Sequence, residues 1–384
     1  MRRGAILLLI AAFASPCFAV KQVPVNQLEQ VLSAAHGKSD SKTADEIYAL
    51  QLTERLSSAR LAHDLATLPG PASRQALQSI ADIAEFLDLP AADLPPTPPP
   101  DRPAEIALWN LTLATANKTV SSLPNFFATR ETSHFVDTPS QPPRNTVDII
   151  RYAPLHEVGD DTVVILYRDG HEFLDTKSSH HVSFDPANFQ LSTIGEFSQM
   201  LATVLADSAH GHVFWSHWEQ GVKGQMAVFR YQIAKPQSHY TVNFPGQKQD
   251  TQFIPPYHGE IGIDPANGSV LRLTMIAELS SKDPITRSNV LVNYGPVEIG
   301  ENTYVCPLRS VALTLVREIR LNPSSFSDYE EQLGPLQTQV NDAVFRNYHL
   351  FRAEMRIITD DSSTPTPNQP PSPSPTPPPA SPNH

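Results

Sequence analysis

Histidine is the residue whose abundance first invites a chemical reading of this sequence, with 14 copies. The densest group is His210-Gly211-His212 followed by His217, and His180-His181 forms a second. A zinc site needs three or four ligands converging on one point. On a strand, positions 210 and 212 point to one face and 217 to the other, so the first group does not bring three imidazoles together. Neither group has the H-E-x-x-H helical spacing of a zinc hydrolase. Both read as surface or aromatic-packed side chains, and neither a metal nor a cofactor is expected.

The carboxylates give no sharper signal. Glu157, Asp160, Asp161, Glu172, Glu196, Glu260 and Asp264 fall near turns or strand ends. Paired acids hydrolyse glycosides only at defined separations, which a sequence does not state. There is no G-x-S-x-G nucleophile elbow, phosphate-cradling P-loop or dinucleotide glycine fingerprint. Cys306 lies between Val305 and Pro307, with no neighbouring cation to favour a thiolate, and reads as a small buried apolar side chain. No catalytic residue is assigned, and the expected protein is not an enzyme. The residues that remain are aromatic. Phe214, Trp215 and Trp218, joined by Phe229 and Tyr231, could line a cavity for an apolar ligand, because such rings combine a large apolar body with polar handles. Plain strand core is the alternative reading of the same five residues.

The elements that must position these residues sit between two proline tracts. The chain has 384 residues and 37 prolines, concentrated at 90–103 and in the tail. Arg2 and Arg3, an apolar run at 5–13 and Cys17-Phe18-Ala19 have the three parts of a secretory signal peptide. Cleavage is expected before Val20, giving an exported protein of the periplasm or cell envelope without a transmembrane anchor. Cys306 is then the one remaining cysteine, so stability must come from packing rather than an internal disulfide. The formal charge of −12 disfavours nucleic-acid partners and anionic lipid surfaces at long range.

Residues 20–89 read as a helical module. Thr43 and Glu46 have capping-box spacing and open a long helix to Leu68, ended by Pro69-Gly70-Pro71. A second helix starts near Ser73, completing an αα-hairpin. Seven prolines in 90–103 make an extended linker. A third helix spans 104–121. From Phe126 the hydrophobic period changes to two, giving strands at 126–136, 147–152, 162–167, 172–175, 212–218, 226–234 and 239–244, with one helix at 194–205 crossing one side of the sheet. Tyr257 to Ile263, a turn at 264–268 and a return strand form one hairpin. A second joins 290–299 to 303–316 at Gly300, with a bulge or edge near Pro307, which cannot donate to a central ladder. Residues 322–334 read as a polar loop and 345–357 as the last strand. The tail, 359–384, is proline-rich and cannot form a core. The resulting domains are a signal peptide (1–19), a helical module (20–89), a linker (90–103), a sheet domain (104–358) and the tail.

At 259–273 the sequence G-E-I-G-I-D-P-A-N-G-S-V-L-R-L resembles the hairpin of exported proteins with the lipoprotein-carrier fold, the LolA/LolB/RseB-like group. The chain is also similar to uncharacterised exported acidobacterial proteins in which L-P-N-F (123–126), G-E-F (195–197) and V-N-Y-G-P-V (292–297) recur in this order. The resemblance covers about residues 104–358 and implies an α+β fold. Its core would be an unclosed antiparallel half-barrel with helices on one face, able to hold acyl chains or a lipidated partner. The expected function is a non-enzymatic binding protein of the envelope. Two alternatives stand beside it: an interaction protein that recruits an envelope partner through its helical hairpin or proline tail, and a hydrolase of unrecognised type.

Overall fold

The computed structural model describes residues 20–138, 153–182, 191–221, 224–244, 251–321 and 331–351. The expected signal peptide, the strand at 147–152, the end of the last expected strand and the tail lie outside the described residues.

The N-terminal segment contains β1 (Lys21–Val23), α1 (Val25–Ala34), α2 (Asp40–Tyr48), β2 (Leu50–Leu52), α3 (Ser58–Thr67) and α4 (Pro71–Ala84). The single helix expected from Thr43 to Leu68 is therefore divided. Residues 50–52 instead pair in parallel with β1, burying Leu50 and Leu52 on one side. Thr43 is not a cap: Ser39 is the N-cap of α2, and the Thr43 hydroxyl donates back to the Ser39 carbonyl at 3.1 Å. A second cap, Ser57, accepts from the Arg60 amide and starts α3. The start of α4 has Gly70 at its N-cap, which has no side chain to offer. Asp40 takes over that task from another helix, accepting the Ala72 and Ser73 amides at 3.0 and 2.9 Å.

After the proline tract comes α5 (Arg102–Ser122), capped by Asp101 accepting from the Ala104 amide at 2.9 Å. The strands and the last helix follow: β3 (Phe126–Thr138), β4 (Ala153–Arg168), β5 (His171–Val182), α6 (Gln199–Ser208), β6 (His212–Gly221) and β7 (Gly224–Ile233). Next are β8 (Val242–Phe244), β9 (Thr251–Phe253), β10 (Tyr257–Ile263), β11 (Val270–Ala277), β12 (Ile285–Ile299), β13 (Asn302–Leu321) and β14 (Glu331–Leu350). Ten of them form one antiparallel sheet in the order β5-β4-β3-β14-β13-β12-β11-β10-β7-β6, and β8 pairs with β9. The two outer strands, β5 and β6, do not pair with each other, so the sheet is an open, curved half-barrel. Bulges in most of its ladders, which bend and twist strands, serve that curvature.

The irregularity expected at Pro307 is present. Asn293 pairs with Arg309 and Tyr294 with Pro307, leaving Leu308 as the extra residue. Three other expectations change. The sheet strand near the C-terminus starts at Glu331, inside the expected loop, because Gln339 and Asn341 are buried polar side chains that hide its alternation. The helix begins at Gln199 rather than 194, since the preceding segment is held in irregular form. Of the strand expected at 239–244, only 242–244 is strand.

Both faces of the sheet are covered. On the inner face, Ala116 of α5 and Leu201, Val204 and Leu205 of α6 pack on Phe229, Tyr231, Ile261, Leu273, Val290 and Val292. On the outer face, Ile83 and Phe86 of the N-terminal helical segment pack on Leu291, Val311, Leu313 and Val340. Paired neighbours such as Val290–Ala312 and Leu291–Val311 alternate between these cores, as strand parity requires. Two glycines of the motif at 259–273 have steric reasons. A Cβ on Gly259 would lie 1.9 Å from the Thr274 carbonyl oxygen, which accepts the Tyr231 hydroxyl at 2.6 Å. Gly268, at φ +74°, closes the turn against α5, where Thr115 donates to the Asn267 carbonyl at 2.7 Å.

Candidate functional site

On the inner face, the sheet and α6 leave a cavity of about 340 Å³. Its floor is β11 to β14, through Met275, Ile285, Val290 and Val316. One wall is the segment 191–194 with Met200 and Thr203 of α6, and the other is 239–244. Among the described residues, no Asp, Glu, Lys or Arg lines it; the polar lining consists of neutral groups such as Thr203, Asn243, Ser288 and Gln339, together with His239. A volume of this size lies in the range of small-molecule sites.

The wall at 191–197 owes its position to buried polar groups. Glu172 of β5 accepts the Gly195 and Phe197 amides at 2.9 and 2.7 Å. Arg130 of β3 donates to the Thr193 carbonyl at 3.1 Å, and Asn341 of β14 to the Leu191 carbonyl at 3.0 Å. Tyr294 donates to the Glu196 carbonyl at 3.1 Å. Burial, followed by the charge of Glu196, pushes the Glu172 carboxyl up to about 7. Two carboxylates here face one guanidinium, that of Arg130.

The five aromatic residues singled out in the sequence do not line this cavity. Phe229 and Tyr231 are buried beneath α5 and α6. Trp215 stands edge-on to both Trp218 and Phe229, with centroids 4.9 and 5.6 Å away, and Trp109 of α5 lies 5.6 Å from Phe229. The Trp218 indole donates to the Pro98 carbonyl at 2.9 Å, tying the proline tract to β6. Phe214 points to the opposite face and is 40% exposed. The structure thus brings four of the five together as packing around α5 and separates the fifth. The cavity residues gave no sequence signal, because they come from seven short segments and most are ordinary strand residues.

The outer face holds a second cavity, of about 310 Å³, beside a buried chain of charges. Arg55 makes a bidentate pair with Glu219 of β6 at 2.9 and 2.7 Å. Glu219 also meets Arg272 of β11 at 3.4 Å, and Arg272 reaches Glu85 at 3.6 Å. Arg309 of β13 contacts Glu85 at 3.8 Å, Asp342 at 2.8 Å and Asp82 of α4. Burial works against the Glu219 charge, but hydrogen bonds from His217 and Arg55 and the charges of Arg272 and Arg55 hold its carboxyl well below the usual range. Along the chain, three guanidiniums meet four carboxylates. The excess falls on Asp82, whose carboxyl burial pushes up to about 7.

Asp82 and Glu172 both bind a proton more tightly in the folded protein than at their ordinary values of 3.8 and 4.5. Folding therefore takes up protons between about pH 4 and 7, and the stability they confer is lost as pH rises through that window, on the order of 3 kcal/mol for each group. Glu219 has the opposite sign, but its contribution changes only below about pH 4. The melting temperature is expected to fall by several degrees between pH 5.5 and pH 8.5, and Asp82→Asn to flatten part of that fall; a melting temperature that rises across this range would contradict the charge count.

Cys306 is fully buried on the inner face, and burial alone pushes its thiol up to about 12, so it offers no nucleophile. Among the described residues, no helix is long and apolar enough to cross a membrane. No protein-family model matches the chain, and no curated protein matches it significantly. Among solved structures, the chain is similar to the crystal structure of a LolA superfamily protein from Nitrosomonas europaea, with 11% identity over 66% of this chain and 97% of that one and a TM-score of 0.26.

Proposed function

We propose that the protein is an exported, non-enzymatic binding protein of the cell envelope that holds an apolar chain, such as the acyl chain of a lipid or lipoprotein, in the inner-face cavity. The carrying observation is the cavity lining: apolar side chains from three adjacent strands, β11 to β13, and from Met200, with no Asp, Glu, Lys or Arg among the described lining residues. A cation would find no carboxylate among the described lining residues, whereas an apolar chain gains about 25 cal/mol for each Å² removed from water. The neutral hydroxyl and amide groups at its walls suit a polar head at one end of that chain.

Delipidated protein titrated with the environment-sensitive dye N-phenyl-1-naphthylamine is expected to show one saturable site, emptied by decanol. Absence of saturable uptake, or uptake that decanol does not displace, would count against the proposal.

A further inference from the structure

His239 is the feature of the cavity that apolar binding leaves unexplained. It contributes to the lining, and its side chain is 79% exposed, which places it at the opening. Its ring is held from behind by Asp207 of α6, whose side chain is 1% exposed. Asp207 accepts the His239 amide at 2.9 Å and His239 Nδ1 at 2.5 Å, and it also accepts the Tyr257 hydroxyl at 2.7 Å. A carboxylate with three donors around it is an acceptor, so Nδ1 must be the donor in that pair. The other nitrogen is then Nε2, which makes no side-chain hydrogen bond among the described residues; the Gln237 carbonyl also lies near the ring and favours its charged form. In the neutral ring Nε2 carries a lone pair and repels an anion; in the protonated ring it donates to one.

The other groups around the ring do not compete for that role. Among the described residues, Asp207 from α6, Tyr257 from β10 and the adjacent Tyr240 are the titratable groups facing it, and the first two are bound to each other. Segment 191–194 and strands β11, β12, β13 and β14 bring no Asp, Glu, Lys or Arg to the cavity lining. The hydrogen bond to Asp207 raises the imidazole pKa above its usual 6.5.

We propose that His239 recognises the oxyanion head of an amphiphile whose apolar chain fills the cavity, with Nε2 donating to that head only when the ring is protonated. This rests on the cavity reading above and adds the charge class of the ligand and a dependence on pH: the head is bound at low pH and released as pH rises through the imidazole pKa.

Decyl sulfate keeps its charge at every pH used here, so any titration belongs to the protein. Calorimetry on the full-length delipidated protein is expected to show about tenfold tighter binding of decyl sulfate at pH 6 than at pH 9, as a charge-assisted bond at an opening allows. Decanol should bind alike at both, and inorganic sulfate should not compete at matched concentration. His239→Gln should bind decyl sulfate equally at both pH values, and His239→Arg should bind it tightly at both. A wild-type affinity independent of pH, a pH dependence that survives His239→Gln, or competition by inorganic sulfate overturns the proposal while leaving the cavity reading intact. Failure of decanol to bind overturns both.

Discussion

Glu219→Ala is expected to destabilise the protein by about 3–5 kcal/mol, the cost of removing one partner from a buried ion pair. The size follows from what would be left behind. Arg55 and Arg272 are both almost fully buried, their Nε atoms already lack partners, and each directs a guanidinium at the Glu219 carboxylate. With that carboxylate removed, Arg55 loses both of its side-chain hydrogen bonds. Because Arg55 belongs to the N-terminal helical segment and Glu219 to β6, the loss falls on the junction between that segment and the outer face of the sheet. Chemical denaturation should show the midpoint falling for Glu219→Ala, with a smaller loss for the double variant Arg55→Met/Glu219→Met, which leaves Arg272 and His217 short of a partner but no longer buries the Arg55 guanidinium. An exposed-surface cost, below about 1 kcal/mol, would show that the pair is solvated and not sealed.

Thr203→Trp should reduce affinity for N-phenyl-1-naphthylamine at least about tenfold, equivalent to about 1.4 kcal/mol. Thr203 lies on α6, where it lines the cavity but is only half-buried, so a large side chain can be placed there without displacing the core beneath. An indole directed into a space of about 340 Å³ occupies much of it. Circular dichroism and the melting temperature should stay close to wild type while uptake falls. Undiminished uptake would place the dye elsewhere.

Much of the scaffold was legible in the sequence, for physical reasons that also explain what was not. The hairpins around Asp264–Gly268 and Gly300 announce themselves because their turns demand left-handed backbone and their flanking strands alternate cleanly. The break at Pro307 followed from the missing amide donor. The helix expected from Thr43 to Leu68 failed because the apolar residues at 50 and 52 suit a strand as well as a helix, and pairing with β1 decided between them. The start of β14 was hidden because Gln339 and Asn341 face a polar part of the inner core, where His134 meets Asn341 at 2.7 Å, so hydrophobic period carried no signal. Packing of the N-terminal helices on the outer face depends on pairs separated by more than 150 residues, such as Arg55 with Glu219, which no local pattern reveals. The cavity is similar in kind. The five aromatic side chains drew attention in the sequence because they are large, whereas the cavity lining is mostly small and medium side chains, with Tyr240 and Phe244 as its aromatic rings, brought together by tertiary structure.

The most direct test of where an apolar chain binds is photolabelling of the delipidated protein with an alkyl diazirine, followed by peptide mapping. Labels are expected on 191–203, 239–244 and 285–290, and decanol should suppress them. Labels concentrated instead on Phe214, Trp215 and Trp218, or on the outer face beside Phe86 and Ile276, would contradict the assignment of the inner-face cavity as the binding site.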